Sequence, residues 1–172
     1  AWLARRGVLV TGGATLERLA AVTHFAFDKT GTLTRGELRV AECIGLEGVE
    51  PSRVLQLAAT AEQASEHLIA RAVLQAAREQ QIPIPPLVDF QSYPGVGVHA
   101  RQASPGPERL GPHILVGTPR LHRDHNIPIT SAAEAALARI DQSGLTPLLV
   151  SETGTLVGAI GVGDTVRSEA RE

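Results

Sequence analysis

Apolar positions along the chain follow two rhythms. In several stretches they recur every three or four residues. Val54, Leu55, Leu57, Ala58 and Ala61 share one helical face running to about Ala64, with Pro51 where a helix would start. Leu68, Ile69, Ala72, Val73 and Ala76 share another, in a helix expected from about Ser65 to Gln80. Ile82-Pro83-Ile84-Pro85-Pro86 cannot extend it, because proline has no N–H to donate and clashes with the preceding turn; it reads as a stiff connector. An Ala-rich helix is expected from Ser131 to Gln142, ending at Gly144. A short amphipathic one is expected over Ala14 to Val22, with Leu16, Leu19 and Ala20 on one side.

The second rhythm is that of strands. Glu37 to Ile44 reads as one strand, and Val88 to Arg101 as two around Pro94-Gly95-Val96-Gly97-Val98. His113 to Thr118 reads as a strand running into a turn. Thr146 to Val150 and Leu156 to Val162 form an expected hairpin, turning at Glu152-Thr153-Gly154. Gly7 to Val10 is a short strand-like run ended by Thr11-Gly12-Gly13, and Phe25-Ala26-Phe27 reads as a buried strand. Ser104 to Pro112, rich in proline and glycine, reads as a flexible hairpin loop.

Composition narrows the classes. Hydrophobic residues are 43% and charged residues 20% of the 172, which suits a globular chain and not a disordered one. A net charge of −2 gives no electrostatic case for nucleic acid or an anionic membrane. Cys43 is the sole cysteine, so no internal disulfide and no Cys-x-x-Cys metal motif can form. No apolar run approaches the roughly 18–20 residues that span a bilayer. His122 and His125 are three apart on an expected short helix, a spacing open to metal, but no further ligand is evident nearby apart from Asp124, which would point elsewhere on a helix, and exposed polar residues are the default reading.

The most specific chemistry is Asp28-Lys29-Thr30-Gly31-Thr32-Leu33-Thr34, placed directly after Phe27. A strand would deliver Asp28 at its C-terminal tip, where open α/β sheets keep their chemistry. A carboxylate there can attack a phosphoryl group; Lys29 would offset phosphate charge, and Thr30, Gly31 and Thr32 offer hydroxyls and close backbone approach. Phosphatases of the haloacid-dehalogenase type place a second Asp two residues after the nucleophile as acid and base. This chain has Thr30, which cannot do that work near neutral pH. The site resembles theirs apart from this departure, and that resemblance implies an acyl phosphate that persists.

This seven-residue string resembles the phosphorylation motif of P-type cation-transporting ATPases. The preceding glycine-rich turn and Ala14-Thr15-Leu16-Glu17-Arg18-Leu19-Ala20 resemble the lead-in found in the heavy-metal branch. The resemblance implies an α/β fold: an antiparallel sheet of about six strands flanked by helices, inserted in an incomplete haloacid-dehalogenase-like phosphorylation domain. The implied division is residues 1–36 for the first part of the phosphorylation domain, 37–162 for the nucleotide-binding domain and 163–172 for the return.

The resemblance also nominates an ATP site. Glu62 and Ser65-Glu66-His67 are similar to the family's Ser-Glu-His-Pro signature, with Leu68 in place of proline. Read alone, His67 is better explained as a surface or capping residue near a helix start. Gly95 and Gly97 match the family's Gly-x-Gly, though a turn or bulge also explains such a pair. Thr118 stands where the family often has Asn, keeping a hydroxyl and losing the amide. Asp164 and Arg167 resemble the hinge Asp-x-x-Arg, implied to help position phosphates and hinge; alone, that pattern is a helix N-cap followed by a charge. Mg²⁺ is implied at Asp28 and the Thr30 carbonyl.

The start at Ala1 and the end at Glu172 suggest a fragment of a pump, on the cytoplasmic side of a membrane, monomeric by itself and partnered in the intact protein by the remaining phosphorylation, actuator and transmembrane domains. Such a fragment is expected to bind ATP without sustained turnover. The transported metal is not identified by these residues; copper(I) is slightly favoured on overall texture. The alternatives are a non-catalytic nucleotide-binding or interaction module derived from such a pump, and a stand-alone phosphatase, which Thr30 disfavours.

Overall fold

The computed structural model describes residues 5–27, 32, 34–104 and 110–166. The strands are β1 (Thr34–Gly45), β2 (Leu87–Tyr93), β3 (Gly97–Ala103), β4 (Leu110–Gly117), β5 (Thr146–Glu152) and β6 (Thr155–Val166). The helices are α1 (Gly13–Ala20), α2 (Pro51–Glu62), α3 (Leu68–Glu79), α4 (Pro119–Asp124) and α5 (Ser131–Gln142). The strands form one six-stranded antiparallel sheet in the order β1-β6-β5-β4-β3-β2, with helices on both faces, as the sequence leads one to expect.

The two faces follow from the strand period of two. Val116, Leu148, Val150 and Ile160 pack on Val54, Leu57, Ala58 and Val73 of α2 and α3. Their neighbours Leu115, Leu149 and Ala159 pack on Leu121, Ala133, Ala136 and Ile140 of α4 and α5. Burying both faces gives the near-continuous apolar runs at 114–116, 148–150 and 156–160. Where a helix comes closest, the strand carries glycine: a Cβ on Gly158 would lie 2.5 Å from a Val54 methyl.

Helix ends are set locally. Thr130 caps α5, its hydroxyl accepting the Ala133 N–H at 3.2 Å. Gly144, at φ +71°, closes that helix with its N–H on the Asp141 carbonyl at 2.8 Å. The helix expected from Ser65 begins three residues later, at Leu68. The Ser65 N–H closes back on the Glu62 carbonyl at 3.0 Å, and His67, at φ −66° and ψ 150°, is the extended N-cap.

Two expected strands do not form. Residues 8–10 and 25–27 have no regular structure, and Phe25 and Phe27 are 64% and 65% exposed. A buried strand of an open α/β sheet needs paired neighbours and covering layers, and among the described residues no strand pairs with 25–27. His122, expected to be exposed, is fully buried. It follows the buried Leu121 on a helix too short to keep every side chain outward, and its Nδ1 lies 3.1 Å from the Thr118 carbonyl. Residues 28–30, with the nominated nucleophile, and Arg167 lie outside the described residues.

Candidate functional site

The α2–α3 side of the sheet ends in a cleft of about 280 Å³. The α2–α3 junction supplies Glu62, Ser65 and His67, the β2–β3 turn supplies Tyr93 to Gly97, and the end of β4 supplies Gly117 and Thr118. Its walls include apolar Ile69, Val98, Val116 and Leu148. Five nominated residues, Glu62, His67, Gly95, Gly97 and Thr118, therefore share one opening. Asp164 does not line it.

The glycines shape the wall. Gly97 and Gly117 are register partners across β3 and β4. A Cβ on Gly97 would fall 2.2 Å from the Val116 carbonyl oxygen, and one on Gly117 would fall 2.3 Å from that of Val96. Both positions are closed to any side chain, and Gly97 also has φ +147°. Gly95 has φ +71° with nothing within 4 Å of a would-be Cβ, so it holds the turn open. The turn is pinned by the Val96 N–H on the Tyr93 carbonyl (2.9 Å) and the Thr118 N–H on the Val96 carbonyl (2.8 Å).

Two polar atoms in the cleft are buried with no partner among the described residues: Glu62 Oε2 and Thr118 Oγ1. Burial pushes the Glu62 carboxyl up to about 7, with the Ser65 side chain pulling it partly back. Near neutral pH this group is therefore present in both states, and its protonated form can donate as well as accept. His67 is exposed, and its Nδ1 accepts the Ile69 N–H at 3.2 Å. That bond needs a lone pair on Nδ1, so the neutral ring carries its proton on Nε2. His67 is thus a capping residue and a cleft residue at once.

Asp164 lies elsewhere. Its carboxylate accepts the Thr34 hydroxyl and the N–H groups of Gly36 and Glu37, where β1 meets β6. Sequence reasoning left out Ser92, Gly117, Thr146 and the apolar wall, and Tyr93, the aromatic nearest the Gly95-Val96-Gly97 turn, lines the cleft too. The Val116-Gly117 step beside Thr118 could have signalled Gly117; nothing local marks Thr146, which arrives from a distant strand. Among the described residues no group of three or more His, Cys, Asp or Glu is arranged to hold a metal ion.

The haloacid dehalogenase-like hydrolase description matches residues 22–172. The chain belongs to this family. Among its relatives is a probable cobalt/nickel-exporting P-type ATPase of Mycobacterium bovis, 40% identical over 170 residues, covering 98% of this chain and 24% of the relative. Others are described as zinc-, copper- and manganese-exporting P-type ATPases, so copper is one of several metals among them. The chain thus spans about a quarter of the length of these curated relatives. Among solved structures, a zinc-transporting PIB-type ATPase in its E2.Pi state superimposes with a TM-score of 0.78 at 34% identity, over 97% of this chain and 26% of that one. The N-domain of HMA8, a copper-transporting P-type ATPase, shares the fold over 71% of this chain and 97% of its own, with a TM-score of 0.58 at 24% identity. This haloacid dehalogenase-like chain is therefore akin to heavy-metal-exporting P-type ATPases. No helix among its described residues is long and apolar enough to cross a membrane.

Proposed function

We propose that this chain is the ATP-binding and phosphoryl-accepting part of a heavy-metal-exporting P-type ATPase, acting on the cytoplasmic side of the membrane. One observation carries the reading: Glu62, His67, Gly95, Gly97 and Thr118, nominated from separate stretches, line one cleft with an apolar wall and two buried, unpartnered polar atoms. A flat heteroaromatic base with ring nitrogens and an amino group fits those demands. The apolar wall takes its faces, while the Glu62 carboxyl and the Thr118 hydroxyl meet its edge. The His67 Nε2–H supplies a donor, and glycine backbone admits the ligand without Cβ interference.

In this reading residues 37–162 bind the nucleotide, flanked by 1–36 and 163–172 of the phosphorylation domain. Asp28 attacks the γ-phosphorus of ATP, the bond to the β-phosphate oxygen breaks, and ADP leaves an aspartyl phosphate on the chain. Lys29 offsets charge on the incoming phosphate. The Asp28 carboxylate and the Thr30 carbonyl are assigned to Mg²⁺, which, when bound, lowers the cost of bringing two anions together. Asp164 and Arg167 are assigned to the hinge between the two parts, and the cargo metal is carried by membrane segments of the intact pump.

The test is a titration of the chain with ATP, ADP and AMP, beside His67→Ala and Glu62→Ala. Saturable binding is expected, weakened about fivefold or more in each variant, the worth of roughly 1 kcal/mol for one polar contact. Absence of saturation at millimolar nucleotide, with a folded chain, overturns the reading.

A further inference from the structure

A second cluster of side chains lies on the other face of the sheet, outside the cleft. His99 of β3 and His113 of β4 are half-buried diagonal neighbours, since Leu115 stands opposite His99 in the register and Arg101 opposite His113. His99 Nε2 lies 2.9 Å from His113 Nδ1. The ring planes are within 10° of parallel with centroids 5.1 Å apart. Two rings in face contact hold their atoms about 3.4 Å or more apart, so this is an edge-to-edge N–H···N contact. One ring donates, and the other presents a lone pair.

We infer that His99 and His113 form a two-imidazole site for a divalent transition metal with right-angled ligand geometry, Ni²⁺, with water completing its coordination shell. Two nitrogens each about 2.0–2.1 Å from one ion, at right angles, stand roughly 2.9 Å apart, the separation already present here. The lone-pair directions must change, and the donating ring must move its proton to its other nitrogen, the second neutral tautomer. Each ring has to turn about 45° off the N···N line, a motion that the broad χ2 preference of histidine permits in a half-exposed side chain.

Metal binding requires neutral rings, and the surroundings of His99 favour that form. Burial holds His99 below the ordinary histidine range, followed by repulsion from His113 and His125 and a smaller push from Arg101, with Asp89 opposing. His125 stands third, its ring 5.8 Å from that of His99, but its Nδ1 faces the Leu121 carbonyl at 2.9 Å and its Nε2 faces the Tyr93 hydroxyl at 3.4 Å. Two protein ligands therefore bind, and the ion exchanges readily. Imidazole suits nickel and zinc, whereas Mg²⁺ prefers oxygen.

The experiment is a calorimetric titration of the full 172-residue chain with NiCl₂ near neutral pH in excess Mg²⁺, with histidine ring protons followed by NMR. One saturable Ni²⁺ per chain is expected, broadening the His99 and His113 resonances first. His99→Gln and His113→Gln should each weaken binding at least about tenfold while keeping the thermal unfolding cooperative. His24→Gln, at an exposed position, should leave it unchanged. Two results overturn the site: no saturation by millimolar Ni²⁺, or binding that survives both His99→Gln and His113→Gln.

Discussion

The Asp164 carboxylate accepts the backbone N–H of Gly36 at 3.0 Å, across the β1–β6 pair. The ladder is irregular between Thr34 and Leu38, and Gly36 turns there at φ +75°. Asp164 takes up backbone donors that the broken ladder leaves over, including the Glu37 N–H at 3.2 Å, and accepts the Thr34 hydroxyl as well. Asp164→Ala should therefore lower stability by about 1–2 kcal/mol, read as an earlier urea midpoint, with ATP affinity unchanged. An intact fold with weakened ATP binding would instead assign this carboxylate to the phosphates.

Glu62 gives the cleft a pH dependence. Its folded-state value of about 7 lies above the ordinary 4.5, so between those values the native state holds more protons than the unfolded chain. Stability must then fall as pH rises through this window, and the loss is complete above it. Glu62→Gln should remove that slope and stabilise the chain at alkaline pH by an amount on the order of 1–3 kcal/mol. Urea unfolding across the window measures it; a wild-type slope retained in the variant rejects the assignment.

The two nominated glycines should respond differently. Gly95→Ala meets open space and costs only the left-handed backbone, about 1 kcal/mol. Gly97→Ala drives a Cβ into the Val116 carbonyl and should cost several kcal/mol or prevent folding. Thermal melts of the two variants separate these outcomes, and equal destabilisation contradicts the geometry.

Leu68 is 61% exposed at the first position of α3, and the preceding His67 already has the extended backbone that proline imposes on its neighbour. Leu68→Pro should stabilise the chain by about 0.4–1 kcal/mol and leave ATP affinity equal or higher. A destabilised variant would mean that the Leu68 side chain packs usefully.

Much of the fold is legible in the sequence because its elements are strongly periodic. The α2 face, the Ala-rich α5 and the β5–β6 hairpin all lie where their patterns place them. The start of α3 is not, since Ser65 to His67 continue a helical pattern while their backbone serves as a cap. Phe25 to Phe27 fail for another reason: an apolar run marks burial, and no described strand pairs with it. At the site, glycines and short polar motifs are visible because they are local. Thr146 and Leu148 enter the cleft through strand pairing, which no nearby residue announces. His122 is hidden similarly, its burial depending on what packs over α4.

Thr34 and Val166 are partners in the β1–β6 register, so the chain enters and leaves the sheet at neighbouring points. Everything between them hangs from a two-stranded ribbon. The same closeness of ends makes residues 34–166 a portable module. A short linker joining the two ends would close the chain into a ring, and a host loop could accept the module without being pried apart.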